Sequence, residues 1–313
     1  MTGADRRPSV TAIVVSWNAA GLIDECLGAL YQHAPRGRSF EVVVVDNAST
    51  DGTVERIRAR WPAVRLIANT ENVGYTRANN QAIRASSSDH LLLVNADAFV
   101  GQGCADVLCD ALDADPRIAI AGPRLVYGDG SWQRWTAGQA PSLRTAVNHY
   151  LFLERLDPSR FPGIFLGRDI RTPQRVDWVS SACMAVRRAA LDRIGLMDER
   201  FFVYMDDVDL CQRARDGGWD VWYRPDALCV HLMGRSTRPE AGSISKDALR
   251  NFNRYFAERN GRARTLALRA VQTVGFAARV VAYRAAGLAR GDPALHAKAR
   301  AHWAYLKLAG RTN

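Results

Sequence analysis

The chain has 313 residues, 48% of them apolar, which is enough for one large α/β domain plus a smaller subdomain and marks a globular protein. The net charge of +10 is unevenly placed, since residues 246–313 carry 14 Lys+Arg against 3 Asp+Glu and the remainder is close to neutral. The six cysteines form no C-x-x-C pair and several lie in apolar runs, which excludes a zinc cage and leads us to expect reduced core thiols.

In chain order, the first half alternates strands and helices as a mostly parallel sheet requires. Val10 to Ser16 is a β-branched run, after which Leu22, Ile23, Cys26, Leu27 and Leu30 share one helical face. Phe40 to Val45 is a second strand ending at Asp46, Thr53 to Trp61 a helix and Val64 to Ala68 a strand. Thr76 to Ala85 then reads as helix, with strands at His90 to Asn95 and Ile118 to Ala121. Trp17-Asn18, Asp46-Asn47 and Asn95-Ala96-Asp97 all fall at the carboxyl ends of these strands, where open α/β sheets bind ligands.

From Gly128 to Arg175 the chain holds Pro141, Pro158, Pro162 and Pro173 among aromatics and arginines, and reads as an irregular flap over the site, which with the tail is expected to set specificity. Beyond it, Phe201 to Arg213 crowds Asp206, Asp207 and Asp209 beside aromatics, with His231 close behind. Like charges repel and Phe and Tyr prefer burial, so such crowding is costly on a surface helix and points to a site. The tail is helical and cationic, with Leu249, Phe252, Tyr255 and Phe256 followed by Leu266, Leu268, Val271, Val274, Phe276, Val280, Val281 and Tyr283. Either a solvated cap on the core or a surface for anionic lipid fits that pattern. Nucleic acid is not expected, as no zinc-finger, RNP-like or helix-turn-helix pattern occurs. Met1 to Ser9 lacks the apolar core of a signal peptide, and no charge-free apolar run approaches the roughly 20 residues of a membrane span. The expected location is therefore the cytoplasm, with peripheral attachment at the inner face of the plasma membrane as the lipid alternative.

Two common nucleotide sites are disfavoured. The turn after the first strand, Ser16-Trp17-Asn18-Ala19-Ala20-Gly21, is no G-x-G-x-x-G, and no Gly-Lys pair exists for a phosphate loop, the only lysines being Lys246, Lys298 and Lys307. A strand-end carboxylate such as Asp46 could accept the ring N–H of uracil or thymine, and Asp97 could ligate a cation bridging a diphosphate, a combination that describes a nucleotide-diphosphate sugar.

Ordered blocks make this specific: Val14-Val15-Ser16-Trp17-Asn18, Val43 to Thr53, Asn72-Val73-Gly74-Tyr75-Thr76-Arg77-Ala78-Asn79-Asn80, Leu93 to Asp97, Trp178 to Cys183, Met197 to Phe202, Asp206 to Leu210, and His231. Over residues 10 to 240 the chain resembles the family 2 inverting glycosyltransferases of GT-A fold, in the branch that includes rhamnosyltransferases. The resemblance implies an α/β GT-A domain over 1–240, with a nucleotide-binding half at 10–125 and an acceptor and catalytic half at 126–240, followed by a basic amphipathic helical extension at 241–313. It implies a nucleotide-sugar site of Ser16, Asn18, Asp46, Asn72, Gly74, Arg77, Asn95 and Asp97, and an Mn²⁺ or Mg²⁺ site of Asp97 and His231, where imidazole suits manganese. Asp207 takes the catalytic-base position. Asp206, standing where Glu is usual, and Trp178 face the acceptor. Ser181 stands where the family has Gly.

Plainer readings stand beside these. Asp46 could cap a turn with Asn47, Ser49 and Asp51, Asp51 and Gly52 read as turn and helix caps, and Gly74 could serve backbone conformation. Arg77 could lie on a helix surface, Asp209 could anchor its helix through Arg213 or Arg215, and Trp178, Trp132 and Trp135 could fill core. Among six histidines only His231 precedes a Gly-x-Ser loop, Gly234-Arg235-Ser236, suited to phosphate. The expected activity is metal-dependent transfer of a sugar, L-rhamnose from dTDP-L-rhamnose in first place and a UDP-sugar in second, to a glycan, lipid-linked or small-molecule acceptor. A sugar nucleotidyltransferase lacks its Gly/Lys-rich loop here, an inactive nucleotide-sugar-binding partner subunit is the reading of another class, and a homo-oligomer stays open.

Overall fold

A computed structural model of the chain describes residues 7–168, 170–233 and 246–309. Its elements run β1 (Val10–Ser16), α1 (Ile23–Gln32), β2 (Phe40–Asp46), α2 (Thr53–Arg60), β3 (Arg65–Ala68), α3 (Tyr75–Ala85), β4 (His90–Asn95), β5 (Ala98–Val100), α4 (Cys104–Ala114) and β6 (Ile118–Val126). There follow β7 (Ala137–Gly138), α5 (Leu143–Tyr150), β8 (Gln174–Val176), β9 (Trp178–Val179), β10 (Cys183–Arg187), α6 (Arg188–Ile194), α7 (Asp206–Asp216), β11 (Asp220–His231), α8 (Lys246–Arg290) and α9 (Pro293–Ala309). The β-branched and apolar runs read from sequence form the sheet, and the 3.6-residue stripes form helices that cover it.

The main sheet has the order β3-β2-β1-β4-β10-β6-β11-β5, with β8 added to β11. It is parallel from β3 through β4 and between β6 and β11, while β10 inserts antiparallel between β4 and β6. Ile23, Cys26, Leu27 and Leu30 of α1 are buried against the sheet, as their shared face requires, and each such Ile or Leu contributes about 1.5–3 kcal/mol by leaving water. All six cysteines are free and buried, matching the reading as core thiols.

Two compact units divide the chain. One is Met1–Gly138 with Gly167–Thr237; the other is Gln139–Leu166 with Arg238–Asn313. The stretch read as an irregular flap contains α5, which the prolines hid: Ser142 and Thr145 form a reciprocal capping box just after Pro141, satisfying the first backbone donors of the helix. In the second unit α8 breaks at Gly261 (φ 70°, ψ 170°). Beyond that break, buried Gln272 donates to the Tyr150 hydroxyl at 3.1 Å, and the Arg279 guanidinium donates to the Tyr150 carbonyl at 2.8 Å. By length and composition α8 is apolar enough to cross a membrane, which a search for charge-free runs overlooks because arginines punctuate it.

Candidate active site

The parallel register sets the rim. Ser16 lies beside Asp46, and Asn95 beside Val15, so three strand ends finish level with one another. Ser16 Oγ donates to Asp46 at 2.8 Å, and Asp46 also accepts from Ser49 N at 2.8 Å and Ser49 Oγ at 2.6 Å. Ser16 and Asp46 are both wholly buried. The turn-capping reading of Asp46 thus describes its contacts, and both residues support the loop from beneath rather than presenting a surface to a nucleoside. Asn18 closes the loop from above: its Oδ1 accepts from Thr50 N at 2.9 Å, and its N–H donates to Ser49 Oγ at 2.8 Å. Asp51 caps locally, accepting from Thr53 N and Ala20 N, as expected. Trp17, just past the end of β1, is 43% exposed.

Asn72 Oδ1 accepts from Gly74 N at 3.0 Å, shaping the turn into α3. Gly74 sits at φ 88°, and an added Cβ would lie 2.6 Å from the Phe202 ring, so both backbone and packing demand glycine. Tyr75 N donates to the Phe202 carbonyl at 2.8 Å, locking this turn to the loop before α7. Arg77, assigned from sequence to the nucleotide, instead donates through Nε to Glu199 at 3.2 Å on the surface. That carboxylate also receives Asn80 and Arg84, which explains why the side chain is turned there.

Asp97 and His231 meet, Nε2 to Oδ1 at 3.4 Å, because β11 pairs antiparallel with β5 and sets His231 opposite Ala98. Buried Gln133 grips the histidine twice: its amide N–H donates to the His231 carbonyl, and its Oε1 lies 3.0 Å from Nδ1. An amide oxygen can only accept, so Nδ1 carries a proton and Nε2 is the ring nitrogen turned to Asp97. A carboxylate and an imidazole nitrogen side by side, with the second ring nitrogen fixed by a neighbour, fit a divalent cation that takes its remaining ligands from a substrate. Asn95 Oδ1, buried at the same rim, has no hydrogen-bond partner among the described residues and could accept from a ligand. The Gly234-Arg235-Ser236 loop proposed for phosphate lies outside the described residues.

Tyr204 (φ 67°) and Met205 (φ 69°) take the left-handed conformation, uncommon for such side chains, and turn the chain into α7. Asp206 and Asp207 therefore begin the helix, where backbone N–H groups favour negative charge. Asp207 is partly exposed and accepts from Val208 N at 2.8 Å and Ser181 N at 3.3 Å. Asp206, 3% exposed, accepts from Ser181 Oγ at 3.2 Å, with no cation paired to it among the described residues. Burial raises both carboxyls above the usual range, and the charge of Asp207 lifts Asp206 further. Of the two, Asp206 is pushed the further toward its protonated form. Tyr75 donates to the Ser181 carbonyl at 2.9 Å, and its own hydroxyl is pushed up by burial and by Asp206. Asp209 pairs with Arg213 at 2.7 Å, the helix-anchoring role read from sequence. Trp178, assigned to the acceptor wall, is 3% exposed and fills core beside β7, because its strand pairs there with Gly138. Among the described residues of this unit, the exposed aromatics are Trp17, Trp135 and Phe202.

The family profile described as Glycosyl transferase family 2 matches residues 11–195. The N-acetylglucosaminyl-diphospho-decaprenol L-rhamnosyltransferase of Mycobacterium tuberculosis is 33% identical over 231 residues, covering 66% of this chain and 71% of that protein. Among solved structures, the mannosyltransferase PcManGT from Pyrobaculum calidifontis in complex with GDP-Man and Mn²⁺ is 25% identical at a TM-score of 0.58, covering 97% of this chain and 86% of that one. GalNAc-T7 with UDP, GalNAc and Mn²⁺ has the same TM-score at 14% identity, covering 80% of this chain and 48% of its own, and shares the fold.

Proposed function

The chain belongs to glycosyl transferase family 2, and on that premise we propose that it is an inverting enzyme moving L-rhamnose from dTDP-L-rhamnose to a hydroxyl of a lipid-linked glycan. It is a glycosyltransferase of the GT-A fold, as its motifs lead one to expect. The observation that carries the mechanism is the pair of acidic side chains at the start of α7, one buried and one open, held by a single serine.

In this reading Asp207 accepts the proton of the acceptor hydroxyl as its oxygen forms a bond to the anomeric carbon. The bond from that carbon to the diphosphate breaks on the opposite face, and the nucleoside diphosphate leaves with the electron pair. Asp206 stays protonated and keeps a second negative charge away from the base. Asp97 and His231 would hold Mn²⁺ or Mg²⁺, which when bound neutralises charge on the leaving diphosphate. Unpartnered Asn95 Oδ1 would accept from a ribose hydroxyl, and exposed Trp17 would stack on the nucleobase. The lipid-linked acceptor and the rhamnosyl donor rest on the name of the mycobacterial relative. Turnover of dTDP-L-rhamnose with an undecaprenyl- or decaprenyl-diphosphate-linked sugar, compared with UDP- and GDP-sugars, tests the reading. Transfer from another donor alone would overturn the sugar, and no metal-dependent transfer from any donor would overturn the activity.

A further inference from the structure

The helical stretch after Gly261 presents one face to its own unit and another to solvent. Leu268, Gln272, Gly275, Phe276, Val280 and Gly287 are buried, and Arg279 turns inward to backbone carbonyls. On the other side Leu266, Val274, Val281 and Leu288 are 51%, 59%, 68% and 77% exposed. Their spacings of eight, seven and seven residues put them within an arc of about 80° and along about 33 Å of helix. Exposed Ala270 lies within that arc and exposed Ala278 and Ala285 extend it on one side, so that Arg284, on the other border, is the charge nearest the stripe.

The border of the stripe is basic and aromatic. Exposed Arg284 lies at its edge, with its guanidinium carbon 5.9 Å from the ring centroid of Trp303, and Lys307 approaches the same ring at 5.7 Å. Trp303 is itself 45% exposed, in keeping with a side chain that seeks an apolar body and a wet tip. Residues 262–309 contain nine Lys+Arg and a single acid, Asp292.

We propose that this face of α8, with Trp303 of α9, is a docking surface for an anionic lipid bilayer, the helix lying in the plane of the interface. Charge selects the occupant. A second copy of the chain would bring a like cluster of cations against this one, whereas acidic headgroups neutralise it while the stripe enters the acyl boundary. The helix lies on the bilayer rather than crossing it, because its opposite face is committed to packing within its own unit. The inference concerns the second unit alone and holds whatever the acceptor sugar.

Flotation of the full chain with phosphatidylcholine vesicles containing about a third phosphatidylglycerol, against pure phosphatidylcholine, tests the surface. Binding is expected to need the anionic lipid, to weaken from low to high salt, and to be extracted by alkaline carbonate. Val274→Asp with Val281→Asp, at exposed positions, is expected to cut binding at least tenfold with an unchanged melting temperature. Arg284→Ala and Arg290→Ala are expected to cost about fivefold each. Absence of binding at low salt, binding untouched by the paired aspartates, or resistance to carbonate would each overturn the proposal. So would a dimer of the full chain that the aspartates split, since a second copy would then cover the stripe.

Discussion

Ser181 ties together both carboxylates at the head of α7, donating from its hydroxyl to Asp206 at 3.2 Å and from its backbone N–H to Asp207 at 3.3 Å. Serine at 181 and aspartate at 206, where the resemblance leads one to expect glycine and glutamate, are thus neighbours. The added hydroxymethyl reaches the shortened carboxylate. Ser181→Gly should lower kcat about tenfold and move the acid limb of its pH profile, because a buried carboxyl losing its side-chain donor costs about 1–3 kcal/mol. Adding Asp206→Glu should recover most of that loss. If the double variant is as poor as the product of the two single ones, the residues do not act as a unit.

Asp207→Asn should reduce transfer at least about a thousandfold, the scale of a positioned general base, while leaving donor affinity unchanged. Rates from single-turnover assays and titration with the nucleotide separate these two effects. Weakened nucleotide binding would mean that Asp207 serves the donor.

Asp206 should make stability fall with rising pH. Its folded pKa is raised by burial and then by Asp207, so the fold favours the protonated form. Below the unfolded carboxylate value, about 3.9, both states hold the proton and nothing is lost; above it, the native state must keep a proton the unfolded chain releases. Asp206→Asn, neutral throughout, should therefore gain on the wild type between about pH 4 and 8, by at least the 1.4 kcal/mol or so of one pKa unit. Urea denaturation across that range measures the gap, and a gap independent of pH would refute the assignment.

Gln133→Leu should weaken Mn²⁺ binding by about 10–100-fold, since it frees the imidazole to rotate and change tautomer. Calorimetric titration with Mn²⁺ in the presence of a nucleoside diphosphate reads this directly, and unchanged affinity would remove His231 from the cation site.

Gly74→Ala should destabilise the protein by about 2–4 kcal/mol, combining a strained positive φ with a Cβ driven into Phe202. Arg77→Ala, by contrast, removes one surface ion pair and should change stability and donor affinity by less than about 0.5 kcal/mol. Thermal melts and nucleotide titrations of the two variants check both statements.

Local periodicity carried most of the fold. The strands β1 and β4 begin and end where their apolar runs do, and α2 and α3 differ from the sequence reading by one residue at an end. α5 escaped because eight residues among four prolines give too short a stripe to stand out, although Ser142 and Thr145 at capping-box spacing were a usable signal. At the site, chemical type singled out Asp97, His231, Asp206 and Asp207, and the fold sets Asp97 beside His231 and both Asp206 and Asp207 against Ser181. Chemical type misplaced Arg77 and Trp178, whose side chains suit a ligand and a neighbour equally well.

The sequence by itself determined the alternation of strands and helices from Val10 to Asn95, the strand-end positions of the polar clusters and the family, because these depend on patterns within a few residues. Only the tertiary structure decided which polar groups are already engaged: Ser16 and Asp46 with Ser49, Gln133 with His231, and Ser181 with Asp206. Those partners lie between 3 and 98 residues apart, and most are joined by sheet register and loop packing rather than by chain proximity. Whether a carboxylate serves a substrate or a turn is settled by which donors that packing brings within 3 Å or so, and no local pattern records it.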